Sequence, residues 1–140
     1  MRKKNLIILG TRPEAIKMAP LVNQFLVDDR FETKVCVTGQ HREMLNQVLN
    51  FFDIKPDFNL SLMKPNQNLY SLTNEIISGL KPVLEGFNPD FTYVHGDTTT
   101  TLSASIAGFY SGSKICHIEA GLRTNNMSSP FPEEMNRQVL

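Results

Sequence analysis

Four short stretches hold most of the residues whose chemistry packing does not explain. The first is Gly10-Thr11-Arg12-Pro13-Glu14-Ala15-Ile16-Lys17. Gly10 permits a tight turn and close backbone approach. The helix start that follows offers free N–H groups to an anion. Arg12 can fork onto two oxygens and Lys17 adds a point charge, so a diphosphate is well matched. The same residues also fit a solvated helix start in which Arg12 and Lys17 pair with Glu14. No Gly-x-Gly-x-x-Gly and no Walker loop is present, so neither an NAD nor an ATP site is signalled.

The second stretch is His95-Gly96-Asp97-Thr98-Thr99-Thr100-Thr101. Asp97 can act as an acid or base, or Asp97 or Thr98 can cap a helix. Threonines are poor choices for a helix interior, and clustered hydroxyls suit a polyol. The third is Glu119-Ala120-Gly121-Leu122-Arg123. A carboxylate ending an apolar strand needs a partner or a task, and Arg123 is one cation that could meet it. The fourth, Pro130-Phe131-Pro132-Glu133-Glu134-Met135-Asn136-Arg137, puts two acids in a helix's first turn, where the helix dipole alone accounts for them. His41 and His95 read as structural residues near strand ends, and His117 as core-lining.

These stretches have to be positioned by regular elements, and strand and helix patterns alternate along the chain. Apolar runs predict strands at 6–9, 32–38, 91–95 and 115–118, with a further one at 58–63. Helical spacing predicts helices from Pro13 to Leu26, over 41–52, over 69–87 and over 98–110, with another beginning at 133. Pro20 is expected to kink the first helix, and Gly79 with Pro82 to bend or break the third. Residues 120–132 read as a loop. Such alternation implies right-handed crossovers and a parallel sheet. The predicted fold class is α/β, a doubly wound Rossmann-like sheet with helices on both faces. Ligands of such sheets gather at the carboxyl ends of the strands, where the first three stretches lie.

Composition narrows the function classes. The 140 residues hold 14 Lys+Arg against 14 Asp+Glu, 41% are apolar and 20% charged. That suits one soluble domain. A nucleic-acid binder would show a basic excess, and nothing here favours an anionic membrane. No stretch approaches the ~20 apolar residues of a membrane span, and the apolar run after Met1-Arg2-Lys3-Lys4 is too short for an export signal. The expected location is the cytoplasm. Cys36 and Cys116 lie in apolar runs and read as buried, reduced thiols rather than a disulfide or metal site.

Five segments, taken together, carry a resemblance: Gly10–Pro20, Gln40–Leu45 (QHREML), His95–Thr101, His117–Arg123 (HIEAGLR) and Pro130–Arg137. In sequence, order and spacing they resemble the non-hydrolysing UDP-N-acetylglucosamine 2-epimerases, from Leu6 to the last residue. The resemblance implies the N-terminal half of a GT-B-type fold, two Rossmann-like domains with the active site between them. It implies bacterial polysaccharide chemistry: reversible epimerisation at C2 between UDP-GlcNAc and UDP-ManNAc. UDP is eliminated to a 2-acetamidoglucal and re-added after reprotonation on the opposite face. No cofactor, nicotinamide or metal, is implied.

By the same resemblance Arg12 and Lys17 match the family's motif cations, and Asp97, Glu119 and Glu133 its catalytic carboxylates. Substrate contacts are expected from Arg12, Lys17, Asp97, Thr98, Glu119 and Arg123. Gln40, His41, Glu43 and Gln67 stand where a second, regulatory UDP-GlcNAc is contacted in some members, although Asn66 replaces an Arg that some regulated members carry. Homodimers are expected. So is a second, UDP-binding domain beyond these residues, without which this stretch is not expected to turn over substrate. Three alternatives stay open at this level: a hydrolysing relative, a GT-B-type glycosyltransferase, and a non-enzymatic nucleotide-binding module.

Overall fold

The computed structural model describes residues 1–39, 42–62 and 64–140. Five parallel strands form one sheet: β1 (Lys3–Leu9), β2 (Phe31–Val37), β3 (Phe58–Asn59), β4 (Phe91–His95) and β5 (Lys114–Ile118). Between them run α1 (Arg12–Leu26), α2 (Arg42–Phe51), α3 (Leu69–Phe87) and α4 (Thr99–Tyr110), and α5 (Glu133–Val139) follows the last strand. The strand order is β3-β2-β1-β4-β5. It reverses direction between β1 and β4, which is where a doubly wound sheet opens a crevice.

The apolar run of β1 is buried on both faces, as its composition demands. Ile7 and Leu9 pack with Met18 and Val22 of α1, Val35 of β2, and Leu45 and Leu49 of α2. Leu6 and Ile8 face the other way, onto Ile76, Leu80 and Leu84 of α3, Val94 of β4 and Ala104 of α4. Cys36 is fully buried, which pushes its thiol up to about 12, and it is free. Cys116 is also free but only partly buried.

Two local expectations are corrected. The third strand is Phe58–Asn59 rather than continuing to 62; residue 63 lies outside the described residues. The amides of Leu60 and Leu62 still bond to the carbonyls of Val37 and Thr38. Ser61, however, sits in the left-handed region at φ 54°, which ends the regular ladder. Gly79 and Pro82 do not break α3, which is one helix, and Pro20 lies inside α1 as its spacing predicts. The carbonyls these prolines leave without a helical donor belong to Ile16 and Ser78, both exposed, so water can satisfy them. No helix among the described residues is long and apolar enough to cross a membrane.

Candidate active site

The loops after β1, β4 and β5 converge on a cleft of about 530 Å³. Arg12, Lys17, His95, Asp97, Thr98, Glu119 and Arg137 line it, with Met44 of α2 at the side. Strand order alone creates this neighbourhood, because β1, β4 and β5 are adjacent in the sheet.

The β1–α1 turn is held by Glu14. Its Oε2 accepts the amides of Gly10 and Thr11, both at 2.7 Å, and its Oε1 accepts the Thr98 hydroxyl at 2.7 Å. Glu14 is buried and pairs with neither Arg12 nor Lys17. That overturns the solvated-pair alternative: the carboxylate closes the first turn and staples it to α4. The Thr-x-x-Glu spacing of Thr11 and Glu14 is a capping-box signature that could have been read from sequence. Gly10 is required sterically, since a Cβ there would lie 2.6 Å from Thr100 Oγ1 and 2.9 Å from Thr100 Cβ.

After β4, Gly96 turns the chain at φ 74°, a conformation few other residues adopt. β5 grips it twice: its amide donates to the Ile118 carbonyl at 2.8 Å, and its own carbonyl lies 2.6 Å from His117 Nε2. Of the two possible caps, Thr98 takes the role, accepting the Thr101 amide at 3.2 Å. The Thr98 hydrogen is committed to Glu14 and that of Thr101 to the His95 carbonyl, at 2.5 Å. These hydroxyls therefore knit α4 to the strand ends. Asp97 is left free of capping and meets Arg137, Nε to Oδ2 at 3.1 Å, while Asn136 donates to the Asp97 carbonyl at 2.8 Å. Arg137 is only 4% exposed and also lies 3.3 Å from Glu134 Oε1. Nothing local in the sequence marks Arg137 as the partner of Asp97.

Glu119 adopts a left-handed φ of 60°, a strained choice for a residue with a Cβ. Its carboxylate receives the Lys17 ammonium at 2.8 and 3.0 Å and lies 2.9 Å from His95 Nε2. Chiefly the Lys17 hydrogen bond, with His95 assisting, holds its pKa below the ordinary value. Arg123 is not its partner. The Arg123 guanidinium donates instead to the carbonyls of Ala120 and Leu122, both at 2.8 Å, and stands outside the cleft. Arg12 is exposed at the start of α1 and borders the cleft.

Glu133 lines an adjoining pocket of about 220 Å³ that shares Thr11, Asp97 and Thr98 with the cleft. Its Oε2 is buried without a hydrogen-bond partner. Its neighbour Glu134 is fully buried. Glu134 accepts hydrogen bonds from the Gln138 side chain and from the amides of Thr124 and Asn125, which lower its pKa to about 2. Glu43 is exposed on α2, and Gln67 donates to Glu75 at 2.9 Å; neither borders the cleft. Gln40 and His41 lie outside the described residues. Among the described residues no three His, Cys, Asp or Glu side chains gather as metal ligands.

A sequence profile for UDP-N-acetylglucosamine 2-epimerase matches residues 24–140. A UDP-N-acetylglucosamine 2-epimerase of Yersinia pestis is 62% identical over 136 residues, 97% of this chain and 36% of the relative. The crystal structure of the Neisseria meningitidis UDP-GlcNAc 2-epimerase bound to UDP-GlcNAc superposes with a TM-score of 0.93 at 57% identity, over 97% of this chain and 37% of that one. The Methanocaldococcus jannaschii enzyme, in complex with UDP-GlcNAc and UDP, gives 0.89 at 29% identity, over 97% and 37%. The chain thus spans about 36% of the length of the curated relatives it matches.

Proposed function

The chain belongs to the UDP-N-acetylglucosamine 2-epimerase family, and we propose that the protein carrying it interconverts UDP-GlcNAc and UDP-ManNAc without hydrolysis. The observation that carries this reading is the juxtaposition of Glu119, held ionised by Lys17, with Asp97 in one cleft.

The chemistry asks for such a cluster. C2 of the sugar bears no adjacent carbonyl, so its proton leaves only as the C1–O bond weakens. Cations that receive the departing diphosphate then matter as much as the base. Arg12 at the α1 N-terminus and Lys17 one turn on are placed for that role. Reprotonation from the opposite face needs proton-transfer groups on both sides of the ring. Glu119 lies on the β5 side of the cleft and Glu133 beyond Asp97, in the adjoining pocket. The proposal assigns these three carboxylates to proton transfer and Thr98, which lines the cleft, to substrate contact. A GT-B partner domain supplies the remaining UDP contacts, and the working unit is a cytoplasmic homodimer. Regulation by a second UDP-GlcNAc at Gln40, His41, Glu43 and Gln67 belongs to the same proposal.

Incubating the full-length protein with UDP-GlcNAc in D2O and following the sugar by NMR tests it. UDP-ManNAc bearing deuterium at C2 is expected. Free ManNAc with UDP would assign a hydrolysing enzyme, and an unchanged sugar would refute epimerase activity. Asp97→Asn and Glu119→Gln are expected to lose most turnover while folded; near-normal turnover removes that residue from the mechanism.

A further inference from the structure

We propose that His95 is the positioning residue that fixes Glu119 in this site, an inference resting on the reading of Glu119 as a proton-transfer group. Glu119 has little to hold it by itself. Its side chain is 52% exposed, it follows the last residue of β5, and its backbone is in the left-handed region. Of its two partners, Lys17 is 53% exposed on a long flexible stem. Such a cation is free to turn toward an arriving diphosphate, and an exposed ion pair contributes little fixed geometry.

His95 is the opposite kind of partner. It is 6% exposed within β4, and its carbonyl is tied to the Thr101 hydroxyl, so the ring has little freedom to move. Its Nε2 lies 2.9 Å from Glu119 Oε2. An ionised carboxylate oxygen only accepts, so Nε2 carries the hydrogen. A buried donor at the carboxyl end of β4 thus sets the direction of Oε2, which Lys17 also meets at 2.8 Å, while Oε1 meets Lys17 at 3.0 Å. Among the described residues, Lys17 from α1 and His95 from β4 touch Glu119, while Arg12, Glu14, Asp97 and Arg137 line the same cleft.

The test is titration of the Glu119 carboxyl in the full-length protein by carbon NMR, its signal assigned by Glu119→Gln. In His95→Leu the midpoint is expected to rise by on the order of half to one pH unit, because a donor to the charged form is gone. His95→Gln, whose amide reaches the same point as Nε2, is expected to restore most of that shift. His95→Asn, too short to reach, is not. The acid limb of kcat should move with the midpoint across this series. A Glu119 midpoint unmoved in His95→Leu overturns the proposal. Should that variant not fold, equal midpoints for the Gln and Asn variants overturn it instead. A wild-type protein that forms no UDP-ManNAc refutes the functional reading, and the titration still decides whether His95 controls Glu119.

Discussion

Replacing Glu14 with alanine removes the acceptor for three hydrogen bonds at once: two amides at 2.7 Å and the Thr98 hydroxyl at 2.7 Å. A buried donor left without a partner costs about 1–3 kcal/mol. The lost reach-back of a capping residue accounts for about 1 kcal/mol of the same helix. Thr11 is partly exposed and water can enter the vacated space, so the three do not sum fully. The expected loss for Glu14→Ala is about 3 kcal/mol, large against the ~5–15 kcal/mol that holds a typical protein together. Glu14→Gln keeps one oxygen for the two amides. Its amide nitrogen can donate to Thr98, whose hydroxyl accepts as readily as it donates. That variant should lose only about 1 kcal/mol. Urea unfolding at neutral pH, compared at constant m, measures both. A Glu14→Ala variant within about 0.5 kcal/mol of wild type, or a Gln variant as unstable as the Ala variant, would refute the role given to this carboxylate. Because Glu14 joins the loop carrying Arg12 to the cap of α4, Glu14→Ala should also raise KM for UDP-GlcNAc in the full-length protein.

Two further outcomes follow from the same geometry. Gly10→Ala should destabilise by about 1–3 kcal/mol, since its Cβ would overlap Thr100 and α4 must shift; an unchanged urea midpoint would mean that the loop and helix are not in tight contact. Glu134 has an ordinary pKa of 4.5 and a folded value of about 2. A lowered folded value means that its contribution is complete above 4.5 and is lost as pH falls toward 2. Glu134→Gln should therefore lose less stability than wild type over that window. Asp28 and Asp90, also lowered, remain in both proteins. Equal acid-induced losses would show that the Glu134 hydrogen bonds do not matter to folding.

The parallel sheet and the loops at its strand ends are legible along the chain, apart from the extent of β3. Apolar runs such as Leu6–Leu9 can be buried only between two layers, and the helical stripes between them supply those layers. Both are local patterns, set by side-chain period, so they are visible along the chain. The Thr11–Glu14 cap is local in the same sense. Tertiary structure decided who pairs with whom. Residue distance favoured Arg123 as the partner of Glu119, four positions on, yet the pairing is with Lys17, 102 residues away, and with His95. Asp97 meets Arg137 across 40 residues for the same reason. Ion pairs form between groups that the fold brings within a few ångströms. Here the order β3-β2-β1-β4-β5 sets the carboxyl ends of β1, β4 and β5 side by side, an arrangement fixed by packing and crossover direction that no local period encodes.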